Sequence, residues 1–101
     1  MSIINLSPAE VSGQLAAGNI ILIDVREQGE WDAGHVEGAQ LFPLSSFNPA
    51  SLPEGNLVFM CGAGVRSARA VALAQAAGLA CNQHLAGGIG AWRSAGLPVV
   101  I

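Results

Sequence analysis

Residues 20–23, Ile-Ile-Leu-Ile, form an apolar run with no alternation. A strand with one wet face alternates apolar and polar side chains; a continuous run is expected where both faces are covered by helices. That one feature points to an α/β layer structure. Leu57-Val58-Phe59-Met60 reads as a second such strand and stops abruptly at Cys61. Small residues follow at Gly62, Ala63 and Gly64, then Val65, Arg66 and Ser67, and an Ala-rich helix is expected over 67–77, stopped by Gly78. In such folds ligands gather at the carboxyl ends of the strands.

A strand ending in a thiol, a glycine-rich loop and a helix N-terminus together make an anion cradle. The loop amides are free to point inward and the positive end of the helix dipole lies beneath them. A cysteine in that position is expected to have a depressed pKa, because the amides and the nearby Arg66 favour the thiolate. Arg66 stands at the far end of the loop, where its guanidinium is expected to reach back to an anion over the sulfur. Cys-x-x-Gly-x-Arg-Ser between a strand and a helix resembles the active-site loop of the rhodanese family, sulfurtransferases that carry a persulfide on cysteine.

Three more segments extend the resemblance over nearly the whole chain. Asp24-Val25-Arg26, then Glu30-Trp31-x-x-Gly34-His35-Val36-x-Gly38-Ala39, is similar to the N-terminal signature of rhodanese domains. Leu85-x-Gly87-Gly88-Ile89-x-x-Trp92 is similar to their C-terminal signature. The resemblance implies one three-layer domain over residues 1–101, with a mostly parallel five-stranded sheet flanked by helices. It implies that Asp24, Arg26, Glu30 and His35 support the framework around the active loop. It also implies a Cys61 persulfide, loaded from thiosulfate or a persulfide donor and emptied by cyanide or a cellular thiol. Arg66 and the amides of Gly62, Ala63, Gly64, Val65, Arg66 and Ser67 would hold the anionic sulfur species. Ser67 is expected to cap the helix first and to face the persulfide second. Several thiosulfate-preferring relatives carry basic residues where this chain has Gly62 and Ala63, which makes a persulfidic protein or small thiol a more plausible donor than a dianion.

Local signals fill in the remainder. Ser7-Pro8-Ala9-Glu10 is a helix start with a capping box and Pro in the first turn, ended by Gly18. Residues 3–4 suggest an edge strand, 27–34 a short helix anchored by Trp31, and 39–42 a third strand. Residues 45–47 suggest one helical turn, with Leu44 and Phe47 plugging the core. A strand over 81–85, a helix over 89–95 with Trp92 in the core, and a final edge strand over 99–101 complete the alternation.

Several functions are disfavoured. With 101 residues, 51% apolar and 11% charged, the chain has room for one modest core and is not disordered. The net charge is -3, lysine is absent, and the four arginines form no patch interleaved with aromatics, so a nucleic-acid surface is not expected. No apolar run reaches transmembrane length and no signal peptide is evident, so a cytoplasmic monomer without membrane contact is the expectation. Neither a metal nor a cofactor is implied: His35 and His84 stand alone and the two cysteines lack zinc spacing. Three alternatives to sulfur transfer remain. A cysteine phosphatase or arsenate reductase of related fold resembles Cys-x5-Arg, whereas only four residues separate Cys61 from Arg66 here. A non-catalytic binding module would typically have lost the cysteine. A dithiol redox protein would need Cys81 near Cys61, yet they lie twenty residues apart.

Overall fold

The computed structural model describes residues 2–101. Its elements alternate along the chain: β1 (Ile4–Leu6), α1 (Pro8–Ala16), β2 (Ile21–Asp24), α2 (Gln28–Asp32), β3 (Gln40–Leu41), β4 (Leu57–Met60), α3 (Val65–Ala76), β5 (Gln83–Leu85) and α4 (Gly88–Ser94). Two 3-10 turns, Leu44–Ser46 and Pro49–Ser51, occupy the breaker-rich connection before β4. Among the described residues five strands form one sheet in the order β1-β5-β4-β2-β3, and all four pairings are parallel.

Strand alternation divides the core between the two faces. On one face Leu22, Val58, Met60 and Leu85 pack with Val11 of α1 and with Ile89 and Trp92 of α4. On the other, Ile23, Leu57, Phe59 and Cys61 pack with Ala70, Val71 and Ala74 of α3. This is the three-layer arrangement that the unbroken strands demand: all four residues of β4 are buried. Because side chains alternate, Cys61 falls on the α3 face, one step beyond Met60. Parallel pairing of β2 with β4 places Asp24 beside Met60, so Asp24 and Cys61 emerge at the same carboxyl edge.

The helix start at Ser7 is as expected: the Ser7 hydroxyl accepts from the Glu10 amide at 3.1 Å, and Glu10 accepts in return from the Ser7 amide. Other boundaries differ. α3 begins at Val65, not Ser67, because Gly64 in the left-handed region (φ 102°) is its N-cap. Ser67 is therefore the third helical residue and cannot be the cap; its hydroxyl instead donates to the Gly64 carbonyl at 3.2 Å. Trp31 does not anchor α2 in the core. It is only half-buried and stacks on the His35 ring at 3.7 Å between centroids, because α2 lies at the rim of the sheet and buries none of its residues. The expected strand over 99–101 is reduced to one antiparallel bridge between Val100 and His35. Trp92 is buried, with its indole N–H donated to the Pro98 carbonyl at 2.9 Å.

Candidate active site

β4 delivers Cys61 to the edge of the sheet with 1% of its surface exposed. Only Gly62, Ala63 and Gly64 separate it from the first turn of α3. Gly64 can be nothing larger: besides its positive φ, a Cβ there would lie 2.0 Å from the Ala86 carbonyl oxygen. The loop is held from behind by α4. The amides of Ile89 and Gly90 donate to the carbonyls of Cys61 and Gly62 at 2.9 and 3.1 Å. In a planar trans peptide the N–H points opposite to the C=O. Tying those two carbonyls to α4 therefore turns the next amides away from it, toward the sulfur side. Gly88 makes this approach possible, since a Cβ on it would come within 2.4 Å of the Cys61 carbonyl.

The sulfur sits among donors. The Gly64 amide donates to Sγ at 3.1 Å, and the Ser67 hydroxyl stands 3.6 Å away. Burial pushes the Cys61 thiol up, but the Ser67 hydroxyl and the amides of Ser67, Gly64 and Ala63 outweigh it, so the pKa lies below its ordinary value. The physical origin is the one expected for a thiolate at the N-terminus of a helix.

Arg66, in the first turn of α3, is not free. Both arms of its guanidinium are on the Glu30 carboxylate, Nη1 to Oε1 at 2.6 Å and Nη2 to Oε2 at 2.9 Å. The pair holds the Glu30 carboxyl down to about 2 and raises the already high pKa of Arg66. With its terminal fork on a carboxylate, the charge expected over the sulfur is matched in the resting site, and the amides supply the donors to the cysteine.

The remaining supporting residues form a second tier. Asp24 and Arg26 make a buried ion pair at 2.8 Å. Arg26 also donates to the carbonyls of Glu30 and Gly34 at 3.3 and 2.9 Å, which ties α2 and its exit to the end of β2. Glu30 is thereby presented to Arg66. His35 lies outside the cradle: its Nδ1 is 2.9 Å from the Trp31 carbonyl and its ring is under Trp31. Cys81 precedes β5 at the opposite end of the sheet, lining a cleft of about 290 Å³ with Leu52, Leu57 and Leu79, and burial pushes its thiol up. Among the described residues no three His, Cys, Asp or Glu side chains gather as a metal site.

Two residues at the site carry no sequence signal. The Ser67 hydroxyl lies 2.8 Å from Nδ1 of His84, and His84 Nε2 lies 2.8 Å from Oδ1 of Asn5. Asn5 and His84 are register partners on β1 and β5, and Phe59 of β4 is the other register neighbour of His84. His84 thus points to the α3 face, where Ser67 descends. That pairing joins segments 79 residues apart, and no local pattern encodes it.

Fold and site together define an α/β domain with a cysteine of lowered pKa at the carboxyl end of a central parallel strand, cradled by backbone amides. The model of the rhodanese-like domain matches residues 7–95, and the chain belongs to that family. It is 44% identical over 93 residues to the probable adenylyltransferase/sulfurtransferase MoeZ of Mycobacterium tuberculosis, covering 86% of this chain and 24% of that protein. The chain spans about a quarter to a half of the length of the curated relatives it matches. Among solved structures, a rhodanese-related protein from Thermoplasma volcanium superposes with a TM-score of 0.83 at 27% identity, covering 95% of this chain and 96% of that one. RPA3614 of Rhodopseudomonas palustris, described as a possible tyrosine phosphatase, superposes with a TM-score of 0.84 at 28% identity over 97% and 85% of the two chains.

Proposed function

We propose that this chain is a sulfurtransferase that carries sulfane sulfur as a persulfide on Cys61. The Cys61 thiolate attacks the outer sulfur of a donor R–S–SH or thiosulfate. The S–S bond of the donor breaks, and the electron pair leaves with the thiol or sulfite. A thiophilic acceptor, cyanide or a cellular thiol, then attacks the outer sulfur of the persulfide and returns the thiolate. This is two-step nucleophilic catalysis. Binding is left to backbone amides, which stabilise an anionic sulfur wherever the charge sits. The observation that carries the reading is the sulfur itself, buried, amide-bonded and of lowered pKa at a helix N-terminus.

The pairing of Arg66 with Glu30 supports persulfides of low charge over thiosulfate as the preferred donor. Gly62 and Ala63 add no charge at the loop, and the one arginine there is already matched. The same pairing argues against phosphate-ester hydrolysis, which needs a free guanidinium to embrace a tetrahedral dianion. One domain over residues 1–101, acting as a monomer without a cofactor, suffices for this chemistry.

The test is intact mass spectrometry. After incubation with a small persulfide, or with thiosulfate, and removal of excess donor, the chain should gain one sulfur atom. Cyanide should remove it and release one thiocyanate per chain. Cys61→Ser should take up no sulfur, because a hydroxyl is a far weaker nucleophile at neutral pH. Loading on Cys81, or hydrolysis of a phosphate ester faster than sulfur transfer, would overturn the assignment.

A further inference from the structure

Gly64 and Gly88 have backbone reasons to be glycine. Both lie in the left-handed region, at φ 102° and 60°, and a Cβ on either would strike backbone atoms at 2.0 and 2.4 Å. Gly62 has neither reason. Its φ is outside the left-handed region, and beyond its chain neighbours the single heavy atom that a Cβ would meet within 4 Å is Arg66 Nη2, at 3.1 Å. Non-bonded heavy atoms sit best at about 3.5–4.0 Å, so the guanidinium occupies space that a side chain at position 62 would claim. The same Nη2 donates to Glu30 Oε2 at 2.9 Å, while Nη1 donates to Oε1 at 2.6 Å. Arg66 thus lies beside the bare Cα of Gly62 while it holds the carboxylate of α2.

We propose that Gly62 is a specificity-determining residue: the space left by its missing side chain seats the Arg66 guanidinium on Glu30, and a branched side chain there would unseat it and return its charge to the donor. The arginine is the part free to give way. The peptides on both sides of the Gly62 Cα are tied to α4, the Cys61 carbonyl by the Ile89 amide at 2.9 Å and the Gly62 carbonyl by the Gly90 amide at 3.1 Å. The ion pair, by contrast, is 35% and 39% exposed, so solvent competes for both partners and the closed pair is favoured over the open one by about fivefold at most. A Cβ alone asks Nη2 to retreat by a few tenths of an ångström, which a long side chain can give without letting go. A β-branched residue adds heavy atoms at two of the three staggered positions on that Cβ, and the fork must move further. Once unseated, the guanidinium remains in the first turn of α3 within the field of the sulfur, since the Cys61 thiolate is among the charges that raise its pKa. It is also the one cation between Cys61 and Ser67, so its state decides the charge a donor meets there.

This inference rests on the reading of Cys61 as a sulfur carrier whose donor is chosen by charge, and its first readout needs no sulfur transfer. That readout is the titration of Glu30 in the full chain, followed by its carboxyl ¹³C resonance. With glycine at position 62 the carboxyl is held down to about 2. Gly62→Ala should stay close to that value, while Gly62→Val and Gly62→Thr should both move clearly toward the ordinary 4.5. An unchanged titration in the two branched variants means that the guanidinium finds its carboxylate around the new side chain, and overturns the proposal. The second readout is single-turnover loading of Cys61 from thiosulfate and from a small persulfide of lower charge. Gly62→Val should raise the ratio of the two loading rates in favour of thiosulfate by about three- to fivefold, up to the full release of such a pair. In a Glu30→Gln background, where the fork is already free, the same substitution should raise the ratio no further. An equal rise in both backgrounds would mean that the valine acts on the donor directly, and would refute the seating. A Glu30 that titrates higher with the ratio unmoved would refute the role in specificity. If the parent protein loads from neither donor, the sulfurtransferase reading falls, and the Glu30 titration still decides whether Gly62 seats the arginine.

Discussion

Replacing Glu30 with Gln is the perturbation that asks most directly what the loop arginine is for. Glutamine keeps the shape of the side chain and keeps an oxygen for the Glu27 amide, which donates to Glu30 Oε1 at 3.0 Å. It removes the carboxylate that holds the terminal fork of Arg66. The stability lost is small despite the short distances. The two side chains are 35% and 39% exposed, so solvent screens the pair and holds its worth to about 1 kcal/mol or less. The catalytic gain is larger. A freed guanidinium about 6 Å from a dianionic donor, at an effective dielectric of about 40–80, attracts it by about 1.4–2.8 kcal/mol. The repulsion from Glu30 disappears as well. Allowing for salt, kcat/KM for thiosulfate should rise about tenfold.

The assay is single-turnover loading of Cys61 with thiosulfate and with a small persulfide of lower charge, at low and high ionic strength. Glu30→Gln should favour thiosulfate alone, and the advantage should shrink toward unity in high salt. No gain for thiosulfate, or an equal gain for both donors, would refute the argument that pairing with Glu30 holds the resting cradle neutral. The stability difference between the two proteins has its own pH signature. The folded pKa of Glu30, about 2, lies below its ordinary 4.5, so the pair contributes its full stability above about pH 4.5 and loses it as pH falls toward 2. Urea titrations of both proteins across that window should converge at the acid end.

Two further substitutions probe the scaffold of the site. Gly64→Ala places a Cβ against the Ala86 carbonyl and forces alanine into the left-handed region, at about 1–3 kcal/mol for each effect, so Tm should fall by about 10 °C or more; an unchanged Tm would mean that the loop has room to rearrange. Arg26→Met strands the buried Asp24 carboxylate and should cost about 3–5 kcal/mol in denaturant melts, whereas adding Asp24→Asn should restore part of it, since an unpaired buried charge costs more than no charge at all.

What the sequence made legible and what it concealed differ by range of interaction. β2 and β4 are readable because four consecutive apolar residues permit only a doubly covered strand, and the Ser7–Glu10 cap because it closes within one turn. Cys61 at the end of β4 follows from the same run. The start of α3 is blurred because Gly64 serves as both loop and cap, and its buried face because half of the stripe Ser67, Ala70, Val71, Ala74 is alanine, which reads alike inside and out. The rim position of Trp31 and the thin edge at Val100 depend on where α2 and the C-terminal segment come to rest, which no local pattern states.

The two polar pairings around the cradle are wholly non-local, Glu30 with Arg66 across 36 residues and Asn5 with His84 across 79. Reading the loop alone gives Arg66 as an anion clamp and Ser67 as a cap; in the structure Arg66 pairs with Glu30, and Gly64 is the cap. On the proposed reading, neutral Gly62 and Ala63 already disfavour a dianionic donor. The fuller reason is that α2 brings a carboxylate to the one loop cation, and the two observations point the same way for different physical causes. On the proposed reading, the cysteine and the amides fix the chemistry, while the charge of the acceptable donor is set by α2. Changes in α2 should therefore alter donor choice with the seven residues from Cys61 to Ser67 left as they are.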